Sequence, residues 1–205
     1  GFSAVWIDSS LKDEATINGY TVADPTSIVI THIAELVKKH ASELITRQDI
    51  KKLIDGVKKD YPVVVEEALK HSSNGQILSI IKELLSEKIP VRDMLTILET
   101  VADIAPYIKN VDLIVEKVRQ ELSNVITSLY KDKDNKIHTF VFDTKTEDFL
   151  ISQCKEINGK ITLSLSTKDT NSLINQTKEL KATTGKSIIL TEHAFLRRTL
   201  VELYR

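Results

Sequence analysis

Ile77-Leu78-Ser79-Ile80-Ile81-Lys82-Glu83-Leu84-Leu85-Ser86-Glu87-Lys88-Ile89-Pro90-Val91-Arg92-Asp93-Met94-Leu95-Thr96-Ile97-Leu98-Glu99-Thr100-Val101 decides the architecture of this chain. Ile77, Ile80, Ile81, Leu84 and Leu85 come first, and Met94, Leu95, Ile97, Leu98 and Val101 follow Pro90. Both sets recur at the spacing of a helix with one apolar face, and neither alternates as a half-buried strand does. Pro90 ends the first helix, because proline has no N–H for a helix interior. Its fixed φ suits the start of the second, with Asp93 in the first turn, where the helix dipole favours an acid. Arg92 is then free to reach a neighbouring carboxylate or carbonyl. Helices of this kind, joined by short turns, predict a compact helical bundle.

The same texture extends outward. Thr46 is expected to cap a helix in an approximate capping box with Asp49, with the stripe Ile50, Leu53, Ile54, Val57 and Tyr61 behind it. Pro62 opens a short helix through Leu69, broken by Ser73-Asn74-Gly75. Asp24 is an N-cap with Pro25 at the first helical position, and Ile33, Leu36, Val37, His40 and Leu44 form a half-buried stripe. Beyond Pro106, Leu113, Ile114, Val118, Leu122, Val125 and Ile126 mark the last and longest helix of the run. Ala4 to Ile7 and Tyr20 to Val22 read as short strands around a helix capped by Ser9 or Ser10, with Asn18-Gly19 as a turn. Such a piece cannot bury a core alone, so its partners are expected upstream of Gly1. The chain opens on Gly1 and carries its one methionine at Met94, which points to a longer parent protein. Its front has no signal-peptide pattern, since Asp8, Lys12, Asp13 and Glu14 interrupt any apolar run.

After Tyr130 the texture changes. Lys131 to Lys136 is polar and reads as a linker or tight loop. The tail then reads β-α-(β)-α-β-α. Strands are expected at 137–142 and 187–190, with a strand or extended loop at 161–165. Helices are expected at 144–154 and 171–181, a turn at Thr184-Gly185, and a final helix from Thr191 through Tyr204. Alternating strands and helices imply a parallel or mixed sheet, left open to a further edge strand. The expected fold class is α+β: a partial α/β segment over 1–44, a helical bundle over 45–129 and a small α/β unit over 130–205.

Composition narrows the function. Of 205 residues, 41% are apolar, 28% charged and 5% aromatic. That is too apolar for a disordered chain, and no run is long enough to span a membrane. One cysteine, Cys154, excludes an internal disulfide and a cysteine zinc site. Few aromatics argue against a base-stacking nucleic-acid platform. Residues 1–129 hold 15 Lys+Arg against 19 Asp+Glu, a net of −4, and 130–205 hold 13 against 10, a net of +3. Neither value calls for a polyanion partner.

Candidate chemistry is sparse. His32, His40, His71, His138 and His193 share no metal-ligand spacing. Cys154 sits in a helical stretch and reads as a small core residue. No phosphate loop, dinucleotide fingerprint or nucleophile elbow occurs. Glu66-Glu67 reads as solvated helix surface, and Arg197-Arg198 and the lysine pairs at 38/39, 51/52 and 58/59 as solvated faces or subunit contacts. No catalytic, cofactor or metal residue is implied. A nucleotide-binding or enzymatic α/β protein remains the alternative reading, and it lacks phosphate-binding glycines after Phe142 or Leu190.

Three stretches together resemble a known family: Trp6-Ile7 with Gly19 to Ile33; His40 to Asp49 with Leu53-Ile54-Asp55 and Tyr61-Pro62; and Glu87 to Asp103, the most specific. They are similar to the cytoplasmic part of the FHIPEP family, the FlhA-type export-gate proteins of bacterial flagellar assembly and virulence type III secretion. The likeness is specific to about residue 128 and looser beyond. It implies a longer, membrane-embedded protein at the bacterial inner membrane. Its cytoplasmic part would have four subdomains in a nonameric ring and would receive export chaperone–cargo complexes. Other export-apparatus proteins, including a separate ATPase complex, would be partners. Residues 1–44 would be the returning segment of the first subdomain, 45–129 the third and 130–205 the fourth. The segment closer to the flagellar branch is 19–49. Carried over by position, the chaperone dock takes Ala23, Ile28 and Thr31, with Ala23 smaller than the apolar residue of the family pattern. Ile28 and Thr31 have a second reading, in which they pack the start of their helix against the first subdomain. Charged faces around 47–60 and 82–93 are expected to meet the neighbouring subunit in the ring.

Overall fold

The computed structural model describes residues 4–157, 160–184 and 188–204, and side-chain caps set many of its helix starts. A 3-10 turn (Ser9–Leu11) and α1 (Lys12–Ile17) come first. Asp24 accepts the Ser27 N–H at 2.9 Å, and Pro25 opens α2 (Pro25–Lys39), followed by the single turn α3 (Ala41–Leu44). Thr46 and Asp49 satisfy each other's backbone N–H in a full capping box at the head of α4 (Arg47–Lys58). Pro62 heads α5 (Pro62–His71). Ser72, in an extended conformation, ends that helix, and Ser73 with Gln76 caps α6 (Asn74–Ser86) in a second box. The series closes with α7 (Met94–Ile104), α8 (Val111–Glu121) and α9 (Ser123–Tyr130).

Several expectations need correction. Ala4 to Ile7 and Tyr20 to Val22 are not in strands. A strand needs a neighbour for its ladder, and neither segment has one among the described residues. Pro90 does not open a helix: α7 starts at Met94, and Asp93 is its N-cap, accepting the Thr96 N–H at 3.1 Å. Nor does Pro90 stop α6. That helix ends in a Schellman turn, where Lys88 N–H reaches Leu85 C=O and Ile89 N–H reaches Leu84 C=O, both at 2.9 Å. Lys88 holds the left-handed conformation there, at φ 60°, and Ile89 is buried. The helix expected to be longest breaks at Leu122 into α8 and α9, so α2 exceeds either piece.

The bundle core runs through α4 to α8 and the turns between them. Ile50, Val65, Ile77, Ile80, Ile81, Leu84, Ile97, Leu98 and Leu122 are buried with little or no exposure. Fully burying such a side chain is worth ~1.5–3 kcal/mol over leaving it exposed. Leu53 and Tyr61, expected in the α4 stripe, stay exposed at its edge. The α2 stripe departs further: Ile33, Leu36, Val37 and also Leu44 in α3 are exposed, and α2 has no buried residue.

Asp132 shapes the following loop, accepting the N–H groups of Asp134 and Lys136. Then come β1 (Thr139–Val141), α10 (Thr144–Ser152), β2 (Cys154–Ile157), β3 (Lys160–Leu163), α11 (Thr167–Thr184), β4 (Ile188–Leu190) and α12 (Ala194–Leu203). β1 and β4 pair in parallel, with Phe140 opposite Ile189. β2 and β3 form a separate antiparallel pair, with Cys154 opposite Leu163. Cys154 therefore belongs to a strand rather than to the preceding helix. Thr191 does not cap α12; it accepts the His193 N–H and donates to Glu147, while His193 occupies the cap position without a side-chain bond. Gly185 and Ser187 lie outside the described residues. Leu150, Leu173, Leu196 and Leu200 make a second, smaller core. The fold is α+β, as expected.

Candidate docking site and the arginine seam

The expected dock residues sit at the entrance of α2. Asp24 is its N-cap, so Ala23 and Ile28 hold the N′ and N4 positions, which form a hydrophobic staple when both are large. Ala23 is too small to fill that role. Ile28 and Thr31 are one turn apart, and all three residues are exposed, Ile28 at 40%. At about 100° per residue, Ile28 and Thr31 project within about 60° of one another. The apolar stripe of Val29, Ile30, Ile33, Leu36 and Val37 is centred about 170° away on the same helix. The Ile28–Thr31 face instead carries Glu35 and Lys38, which form an ion pair at 2.9 Å. The Glu35 carboxyl is held below the usual range, first by its hydrogen bond from Lys38. The structure thus brings Ile28 and Thr31 onto one polar-edged face and separates that face from the stripe.

A second site was not expected. Arg197 and Arg198, read as solvated or subunit contacts, face the bundle from α12. Arg197 Nε donates to Glu116 Oε2 at 2.8 Å, and its Nη1 donates to Glu87 Oε2 at 2.9 Å. Arg198 Nη1 donates to Glu83 at 2.8 Å, and its Nη2 lies 3.4 Å from Asp112. Arg119 donates to Glu87 as well. The Arg197, Arg198, Glu87 and Glu116 side chains are all at least four-fifths buried. Burial works against the charge of Arg197, but hydrogen bonds to Glu116 and Glu87 outweigh it and hold its pKa above the ordinary value. Burial likewise opposes Arg198, and its bond to Glu83 with the nearby carboxylates carries it above. Arg119 goes down, through burial first and the charge of Arg197 second. No sequence spacing pointed to this network, because the hydrogen-bond partners of Arg197 and Arg198 lie 81 to 115 positions away and even Arg119 and Glu87 are 32 apart.

The other charged candidates stay as surface features, and Cys154 packs against the second core. His40 meets Glu43 at 3.2 Å and His138 meets Asp132 at 3.0 Å. Lys58 pairs with Glu66 at 3.6 Å and Lys52 with Asp49 at 3.9 Å. Cys154 is half-buried, and burial raises its thiol pKa. Arg92 is exposed and makes no ion pair among the described residues. Among those residues no group of three or more His, Cys, Asp or Glu could hold a metal ion, and no helix is long and apolar enough to cross a membrane.

Solved structures share this architecture. The Chlamydia pneumoniae CdsV protein superposes with a TM-score of 0.86 at 21% identity, over 99% of this chain and 59% of CdsV. The nonameric SctV-C of EPEC gives 0.82 at 25% identity, over 95% of this chain and 60% of SctV-C. The fold is therefore of the class seen in CdsV and SctV-C. The FHIPEP family pattern matches residues 1–205, and the chain belongs to the FHIPEP family. In sequence, the flagellar biosynthesis protein FlhA of Helicobacter pylori (strain J99) is 43% identical over 180 residues. That match covers 87% of this chain, which spans about a quarter of the relative's length (24%).

Proposed function

We propose that this chain is part of a bacterial flagellar type III protein export gate, contributing to its cytoplasmic docking and ring-forming region and receiving chaperone–cargo complexes. Ala23, Ile28 and Thr31 form the rim of the dock. One observation carries this reading: Ile28 and Thr31 project away from the apolar stripe of α2. The stripe is what a core would claim, so the opposite pair is left for a partner. An exposed isoleucine supplies water-excluding contact and the threonine hydroxyl supplies orientation. This favours docking over packing of the helix start.

The parent protein is membrane-embedded, with this region on the cytoplasmic face of the inner membrane. The chain divides at 44/45 and 129/130; the two separate cores support the second of these boundaries. It assembles into a ring, as the nonameric relative does. The exposed faces of α4 serve as contacts; around 82–93, Glu83 and Glu87 are taken up by the arginines, and Lys82, Lys88 and Arg92 make no ion pair among the described residues. Export-apparatus proteins, including the ATPase complex, are partners, and the chain itself performs no catalysis and needs no cofactor. The higher identity to a flagellar relative than to CdsV or SctV-C supports the flagellar branch. The test is complementation in the source bacterium. Thr31→Asp is expected to lower secretion of late flagellar substrates at unchanged protein level, and normal secretion and motility would remove Thr31 from the dock.

A further inference from the structure

We propose that Glu87 is the hub of an electrostatic latch that holds the C-terminal lobe, residues 139–204, on the helical bundle, and that the lobe swings free as a unit when Glu87 is neutralised. This rests on the organisation of the two cores and not on the docking reading.

The seam between the cores lacks an apolar core of its own. Among the described residues no apolar side chain belongs to both clusters. On α12, Leu196 and Leu200 turn into the lobe, while Arg197 and Arg198 between them turn toward α6 and α8. The only covalent tie is the loop after α9, whose tight turn at Asp132 to Lys136 closes on itself rather than on the bundle. The seam is also incompletely packed. A cavity of about 110 Å³ opens between the starts of α8 and α12, bordered by Leu113, Ile161, Phe195 and Arg198. Beside it, Arg198 Nε is buried without a hydrogen-bond partner. A well-packed interface leaves neither.

Apart from Leu113, Ile161, Ala194 and Phe195 around that cavity, what holds the seam is charge. Glu87 receives Arg119 and Arg197 directly and lies 3.6 Å from Arg198. Glu83, Asp112 and Glu116 each hold one of the two α12 arginines. Four carboxylates face three guanidinium groups, a formal net of −1, and among the described residues Glu87 is the carboxylate that Arg119 pairs with. Neutralising Glu87 leaves Arg119 beside Arg197 without the carboxylate that bridges them, and their mutual repulsion then opposes closure. An uncompensated buried charge is strongly unfavourable, and rotation of the lobe about the 131–136 loop rehydrates it. Partial burial shields the latch from salt, so it holds at physiological ionic strength. The sequence stretch that opens on Glu87 thereby acquires a mechanical role.

The test uses the 205-residue chain with Cys154→Ser and spin labels at Lys59→Cys, at the C-terminal end of α4, and Lys178→Cys in α11, both exposed. Pulsed dipolar spectroscopy reads the distance, and native-state hydrogen exchange reads local protection. With Glu87 present we expect one narrow distance. Glu87→Gln should add a longer population and cut amide protection in α12 at least about tenfold, with Ile97 and Leu98 unchanged. A narrow distance in folded Glu87→Gln overturns the latch, as does a broad one with Glu87 intact. An equal loss of protection at Ile97 and Leu98 also overturns it, because Glu87 would then support the bundle core. If Glu87→Gln fails to fold, Arg197→Lys, which keeps the charge but loses the fork, is read by the same criteria.

Discussion

Replacing Lys88 by glycine is expected to stabilise this chain. Lys88 closes the Schellman turn after α6 at φ 60°. The left-handed conformation costs a residue with a Cβ ~1–2 kcal/mol. Glycine escapes that cost but loses more backbone freedom on folding, returning ~0.5–1 kcal/mol. The net gain is ~0.5–1 kcal/mol. Nothing in the side chain offsets it: Lys88 is exposed, and its charge acts only weakly on the exposed Glu35. The two closing hydrogen bonds are made by backbone and survive. Urea unfolding should show a higher midpoint at unchanged slope, and melting should rise by ~1–4 °C for a chain of this size. Lys88→Ala keeps the Cβ and should stay within ~0.5 kcal/mol of the parent. A lower midpoint in the glycine variant, or an equal gain from alanine, refutes the argument.

Leu98→Ala opens a cavity at a site with no exposure and should cost ~2–5 kcal/mol in urea unfolding; a cost below ~1 kcal/mol would contradict the packing described. Acid sensitivity should come partly from the caps. Asp24, Asp49 and Asp143 are held below the usual carboxylate range, first by hydrogen bonds from the side chains of Ser27, Thr46 and Thr146. Because these folded-state values are lowered, their stabilisation is complete above the unfolded value near pH ~4 and is lost as pH falls from there through the folded values. The Asp24→Asn, Asp143→Asn double variant keeps capping groups but should melt with a flatter pH dependence below pH ~4; an unchanged slope would remove the caps as its source.

Local rules were legible where a side chain acts on its own backbone. The Thr46–Asp49 box and the Asp24-Pro25 start appear where the residues place them. Local rules failed where the deciding partner is distant. Leu122 offers no glycine or proline to mark the break between α8 and α9, because it is buried and serves the apolar face of both. Cys154, expected as the end of the 144–154 helix, instead opens a strand through Ile157 by pairing with Lys160 to Leu163. Trp6 and Ile7 have strand character but no ladder to join. Pro90 misplaced a helix start because Asp93 caps α7 three residues later. The proposed dock residues Ala23, Ile28 and Thr31 came from the family resemblance alone, and the structure adds that they sit at the head of α2 and which way Ile28 and Thr31 face. The arginine network was illegible, since Arg197 next to Arg198 reads as surface until Leu196 and Leu200 are seen anchoring their helix in the opposite direction.

The central claim, that Ile28 and Thr31 form part of a chaperone dock, is tested most directly by a binding isotherm. The complete cytoplasmic part of the parent protein is titrated with an export chaperone–cargo complex, with and without Thr31→Asp, beside a melting curve of each. An exposed helix position tolerates the aspartate, whereas a docked partner must desolvate its charge. The account predicts an unchanged melting temperature and a Kd raised at least about tenfold, ~1.4 kcal/mol. Unchanged affinity in a fully folded variant would contradict it.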